Sequence, residues 1–152
     1  RIYDGKFVPL HAPARVSSRN IRDELLKEDS LLPAIYLTQK LDIAVVGIGY
    51  PNEKSAIMAT GYFKENEIES LIDRKVAGEL CMQFYDIYGD TAPYKDDNNV
   101  IGMDISMLRS VPRSIGIAGG VEKLRAVRGA INGHYINTLI TDIECAEALI
   151  SE

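Results

Sequence analysis

Cysteine and histidine are scarce in this sequence, with two of each among 152 residues. Cys81 and Cys145 lie far apart, and neither they nor His11 and His134 show the spacing of a metal site. No metal and no cofactor is expected. The two cysteines are expected to be buried, reduced thiols of a cytoplasmic protein. Long apolar runs are also missing: none approaches the roughly 20 residues that span a bilayer, and no signal-peptide pattern opens the chain, so no membrane partner is expected. Positive charge is in deficit, 17 Lys and Arg against 22 Asp and Glu, for a formal net charge of -5. A domain this acidic is a poor non-specific ligand for DNA. There is no internal repeat, linker or low-complexity tract. Nor is there a nucleophile elbow or a nucleophile–base–orienter set, so no catalytic residue is assigned and an enzyme is not expected.

What remains is the pattern of one globular domain spanning residues 1–152, long enough for a sizeable core. Arg1 to Val16, with Pro9 and Pro13, reads as extended, with one strand at most. Ser17 and Ser18 are N-cap candidates for a helix over "RNIRDELLKE", and "LLPAIYLTQKL" reads as a second helix with Pro33 in its first turn. "DIAVVGIG" is a short continuous apolar run, which suits a strand buried on both faces. "SAIMATG" and "KENEIESLIDRK" read as helices, "GELCMQFYD" as one strand, and "VIGMD" as a short one. Asp104 is placed to cap a brief helix, "ISMLRS". "SIGIAGG" then reads as a strand, "VEKLRAVRGAING" as a helix, "YINTLITD" as a strand and "IECAEALISE" as a last helix capped by Asp142. Strands alternating with helices predict an α/β fold, a mostly parallel sheet with helices on both faces. In such sheets ligands sit beyond the carboxyl ends of the strands.

The residues at those ends are therefore the candidates. Gly119 and Gly120 end one strand, with Lys123 in the first turn of the following helix. That arrangement suits an anion, because glycine lets it approach backbone N–H groups that the helix dipole makes partly positive. It equally suits a tight strand-to-helix turn with a solvated lysine, and the spacing alone leaves both open. Gly47 and Gly49 end another strand, as a turn or as a close approach to a ligand. Glu79 opens a strand, either exposed or accepting hydrogen bonds from sugar hydroxyls. Phe84 and Tyr85 are read as packing residues.

In combination these segments carry a resemblance. "VVGIG", "AGELCMQFYD" and "IGMDISMLRSVPRSIGIAGGVEKLRAVRGAINGHYINTLITDIECAEALI", in this order, closely resemble the sugar-binding effector domain of SorC/DeoR-type bacterial transcriptional regulators. The resemblance covers nearly the whole chain. It implies a fold like that of glucosamine-6-phosphate deaminase and ribose-5-phosphate isomerase. It also implies a phosphorylated sugar as ligand, and an effect of that ligand on DNA binding or oligomer state, the protein being a homo-oligomer (dimer or tetramer). Gly119, Gly120 and Lys123 fall on the phosphate-site motif AGG-x-x-K, Gly47 and Gly49 on the VGIG strand end lining the pocket, and Glu79 on a sugar-hydroxyl contact that is usually Asp. Gln83 stands where the family has Arg, and Val111-Pro112 replaces Ile-Pro. A sugar-phosphate isomerase or deaminase is the alternative that the fold admits. The chain opens on Arg1, not Met. The resemblance implies that it is N-terminally incomplete: the DNA-binding helix-turn-helix and the first part of the effector domain lie outside it, and DNA is met through that missing domain.

Overall fold

The computed structural model describes residues 4–52 and 55–151, without the side chains of Ala56 and Met58. Its α-helices are α1 (Arg19–Leu25), α2 (Leu32–Thr38), α3 (Ala56–Ala59), α4 (Glu65–Asp73), α5 (Leu124–Asn132) and α6 (Ile143–Ser151). Its strands are β1 (Ile43–Gly49), β2 (Gly78–Leu80), β3 (Gln83–Tyr85), β4 (Arg113–Ile117) and β5 (Thr138–Ile140). Helix boundaries follow local chemistry. The Ser18 hydroxyl accepts the Ile21 N–H at 3.4 Å to start α1, and Pro33 sits in the first turn of α2, where its missing N–H costs nothing. Asp104 accepts the Ser106 N–H at 2.8 Å and opens a 3-10 turn over Ile105–Ser110. Asp142 accepts the Cys145 N–H at 2.9 Å and opens α6.

The strands form one sheet in the order β3-β2-β1-β4-β5. β1 runs parallel to β4, and β4 to β5, while β1–β2 and β2–β3 are antiparallel. The sheet is thus mixed, not mostly parallel. "GELCMQFYD" is the cause. It folds as a hairpin whose two-residue turn, Cys81-Met82, takes φ of 53° and 62°, and a turn this short joins only antiparallel strands. Cys81 sits exposed at this turn, so only Cys145 is the buried thiol expected. "VIGMD" forms no strand either; Val100 makes one isolated bridge to Arg15 in the extended segment before α1.

Two apolar cores lie on opposite sides of the sheet. On one side α5 lays fully buried Ala126, Val127 and Ala130 over Ile48, Leu80 and Tyr85. Burying one Val or Ile side chain contributes about 1.5–3 kcal/mol. On the other side, over the β2–β3 hairpin, α4 brings Ile68 and Leu71 against Phe84, with Phe63 edge-on to Phe84 at 5.3 Å. Phe84 and Tyr85, adjacent on β3, therefore serve different cores. Among the described residues that second side is covered only there. Along β1 the burial alternates: Ala44 and Ile48 are buried, Ile43 and Val45 exposed. The expectation of a strand buried on both faces, with helices over the whole of both, does not hold for β1, β4 and β5.

Candidate functional site

Beyond the carboxyl ends of β1 and β4 lies a cavity of about 370 Å³, within the usual range for small-molecule sites. It is lined by Gly49, Tyr50, Asn52, Ser55, Ile57, Glu79, Glu122 and Lys123. Three of the residues singled out in the sequence, Gly49, Glu79 and Lys123, meet here. Gly49 and Glu79 are directly paired across β1 and β2, which puts the carboxylate over the glycine. A Cβ on residue 49 would fall 2.0 Å from Glu79 Oε1, so glycine at this position is what lets the carboxylate lie across the strand end. Glu79 Oε2 accepts the Met82 N–H at 2.8 Å, tying the left-handed turn to the cavity wall. Burial raises the Glu79 pKa above its ordinary value, against the lowering effects of the Met82 N–H and the Lys123 charge.

Lys123 closes a single 3-10 turn, Val121–Lys123, from which α5 continues. The expected helix start at Gly120 is therefore tighter than a regular helix. Gly120 takes φ of 94°, and its N–H donates to Asp142 Oδ2 at 2.6 Å. Asp142 so joins the loop after β4 to the first turn of α6, and these two backbone N–H groups hold its pKa below the ordinary value. Gly119 and Gly120 lie beside this carboxylate rather than on the cavity lining, and the Glu122 carboxylate lies against Gly120. Gly47, on the same face of β1 as Gly49, is not among the lining residues and has open space where a side chain would be. Phe84 and Tyr85 are fully buried and take no part.

Five lining residues were not singled out in the sequence: Tyr50, Asn52, Ser55, Ile57 and Glu122. The first three follow β1 in a loop whose Asn52 carbonyl accepts both the Ser55 N–H at 3.0 Å and the Ser55 hydroxyl at 2.6 Å. Their one sequence signal is position, directly after a glycine-ended strand. Chemically the cavity offers one cation, two carboxylates, an amide, hydroxyls and an aromatic ring, a donor and acceptor set suited to a polyhydroxy ligand. A larger hollow of about 460 Å³ beside Arg15, Tyr62 and Glu67 lies at no strand end, and its Arg15 is already engaged by Glu67 at 2.8 Å and by the Phe63 ring. Among the described residues no cluster of three His, Cys, Asp or Glu is placed to hold a metal ion.

Comparison with known proteins bears on this geometry. Residues 1–151 match the family described as "Putative sugar-binding domain". The sorbitol operon regulator of Klebsiella pneumoniae is 33% identical over 138 residues, 91% of this chain and 44% of that protein. The transcriptional regulator LsrR of Escherichia coli K12 is 36% identical over 142 residues, again 91% of this chain and 45% of the relative. Among solved structures, a DeoR family transcriptional regulator from Listeria monocytogenes superposes with a TM-score of 0.85 at 26% identity, covering 92% of this chain and 57% of that one. The chain belongs to the sugar-binding domain family of SorC/DeoR-type transcriptional regulators. The curated relatives it matches are named as regulators. It spans about half the length of the curated relatives it matches.

Proposed function

We propose that this chain is the C-terminal portion of the effector domain of a cytoplasmic, homo-oligomeric transcriptional regulator, and that it binds a phosphorylated sugar in the cavity beyond β1 and β4. Lys123 meets the phosphate together with the backbone at Gly119 and Gly120. Glu79, Asn52 and Ser55 take the sugar hydroxyls, and Gly47 and Gly49 form the strand end against which the ligand lies. The observation that carries this reading is the meeting of Lys123 and half-buried Glu79 in one cavity at the carboxyl edge of the parallel strands. The ligand acts by binding one quaternary arrangement more tightly than another, which shifts operator occupancy of a helix-turn-helix elsewhere in the polypeptide. The resemblance to the sugar-phosphate isomerase and deaminase fold belongs to the same proposal, without their chemistry.

One observation favours a second ligand class. Glu79 and Glu122 outnumber Lys123 in the lining, and Asp142 already occupies the Gly120 N–H. That balance suits an unphosphorylated polyol. Calorimetry of the intact regulator with paired phosphorylated and unphosphorylated sugars separates the two. Heat with the phosphorylated member, weakened about tenfold or more by Lys123→Ala, supports the phosphate reading, since a charge-assisted hydrogen bond contributes about 1.5–3 kcal/mol. Heat only with the unphosphorylated member, or an unaltered affinity in the variant, refutes it.

A further inference from the structure

A smaller hollow, of about 220 Å³, is walled by α1, the start of β3 and the segment 91–98, and it shares no lining residue with the cavity beyond β1 and β4. Arg19, Arg22 and Lys95 line it together with Gln83, Asn98 and Asp104. Glu79 pairs with Phe84 and Leu80 with Gln83, so Glu79 and Gln83 project from opposite faces of the β2–β3 hairpin. The two hollows thus use different faces of that hairpin. The walls of the smaller one are held firmly. Gln83, 6% exposed, donates to the Met103 carbonyl at 2.8 Å and accepts the Ile105 N–H at 3.1 Å. Asn98 accepts the Phe84 N–H on its side-chain oxygen at 3.0 Å, and the Arg22 guanidinium donates to the Asn98 backbone carbonyl at 2.9 Å. That last bond ties α1 to a loop far along the chain.

The charges, by contrast, are not all paired. Asp23 accepts from Arg22 Nε at 3.0 Å and from Nη2 at 2.8 Å. Arg19 and Lys95 have no hydrogen bond or ion pair among the described residues, and the side-chain N–H groups of Asn98 have no acceptor among them. Asp104 is the one carboxylate in the lining, and its Oδ1 is turned to Ser106, whose N–H it accepts at 2.8 Å and whose hydroxyl it also accepts. With Arg22 matched by Asp23, Arg19 and Lys95 outnumber Asp104. This local surplus of positive charge stands out in a chain of net charge -5. Two distant segments bring like charges to one hollow, a repulsion that an anion between them relieves.

We propose that this hollow is a second anion site, which takes a phosphate group, free or at the end of a phosphorylated metabolite. Arg19 offers its guanidinium fork to two phosphate oxygens, Lys95 a point charge to a third, and Asn98 a neutral N–H. Donors arriving from α1 on one side and from the 91–98 segment on the other suit a tetrahedral anion with three terminal oxygens better than a planar carboxylate with two. The buried, fully bonded Gln83 forms a rigid neutral wall. The site goes beyond the reading of the larger cavity, and Lys123 has no part in it.

Calorimetry of the intact regulator with inorganic phosphate, and separately with methyl phosphate, tests this in the wild type and in Arg19→Ala, Lys95→Glu and Lys123→Ala. Arg22 is left unchanged because it also holds α1 in place. The expected result is phosphate binding that survives Lys123→Ala, weakens about tenfold in Arg19→Ala and in Lys95→Glu, and falls as salt rises. Methyl phosphate bound more tightly than the inorganic ion identifies an esterified phosphate as the source, and the reverse identifies the free ion; both support the site. Affinity unaltered by Arg19→Ala and by Lys95→Glu would overturn the inference. So would the loss of all phosphate binding in Lys123→Ala, because that assigns the anion to the larger cavity alone. Arg19 and Lys95 are exposed, so both variants should fold, and if one does not the other gives the same readout. The two readings fail separately: a Lys123→Ala variant that binds every phosphate ligand as the wild type does removes phosphate from the larger cavity and leaves this site standing.

Discussion

Gly129→Ala sets two calculable effects against each other. Gly129 lies inside α5, where alanine is favoured over glycine by about 1 kcal/mol. By helix propensity alone the substitution stabilises. But a Cβ at this position would sit 2.6 Å from the Asp86 carbonyl oxygen and 2.9 Å from the Tyr85 ring. The first is backbone and cannot rotate away. The second is a fully buried ring whose hydroxyl donates to the Ala126 carbonyl at 3.0 Å. Relief therefore requires α5 to lift from the sheet, at the upper end of the roughly 1–3 kcal/mol that overpacking costs. The net expectation is a loss of about 2 kcal/mol, which in a domain of this size lowers Tm by about 4–8 °C. Arg125→Ala, on the exposed side of the same helix, is the control and should change stability by less than about 0.5 kcal/mol. Thermal and urea unfolding followed by circular dichroism measure both. An unchanged or raised Tm for Gly129→Ala would show that α5 does not pack against the Asp86 backbone this closely.

Two further expectations concern single side chains. Glu79 has its pKa raised by burial, so its favourable contribution is full below its ordinary value of 4.5 and is lost as pH rises through the raised value. Glu79→Gln keeps an acceptor for the Met82 N–H without the charge. Its stability relative to wild type should therefore grow as pH rises above about 4.5, and a difference that stays flat in urea titrations across pH would refute this. Glu67, whose pKa is lowered by the Lys64 N–H and by Arg15 despite opposing burial, loses its contribution as pH falls; it is present in both proteins and cancels in the difference. Tyr135 donates its hydroxyl to the Gly89 carbonyl and accepts from Arg109 at 3.2 Å. Tyr135→Phe should cost about 1–3 kcal/mol, read as a lower urea midpoint with the same slope.

Much of the local structure was legible because its causes are local. Ser18, Asp104 and Asp142 cap the turns that their side chains suggest, and Pro33 falls where a first turn tolerates it. The hairpin was not legible. Left-handed pairs of turn residues are usually Asn-Gly or Gly-rich, and Cys81-Met82 carries no such signal. Its support comes from the Glu79 carboxylate on the Met82 N–H, a contact that exists only once the chain has turned. "IAVVGIG" misled for another reason. A continuous apolar run suits a strand covered on both faces, and among the described residues only the face of β1 under α5 is covered. At the site, glycines and a lysine at strand ends pointed to the right edge of the sheet. Tyr50, Asn52 and Ser55 depend on how the loop after Gly49 folds back, which no periodicity encodes.

The placement of Phe84 and Tyr85 in different cores bears on how the domain folds. Side chains alternate along a strand, so a slip of one residue in the hairpin would send Phe84 toward Val127 and Tyr85 toward Leu71. Both cores would lose their aromatic centre in the same error. A strand of three residues thus makes the two halves depend on a single register. Misaligned states are penalised twice, and the cores on either side of the sheet are bound to form cooperatively rather than one at a time.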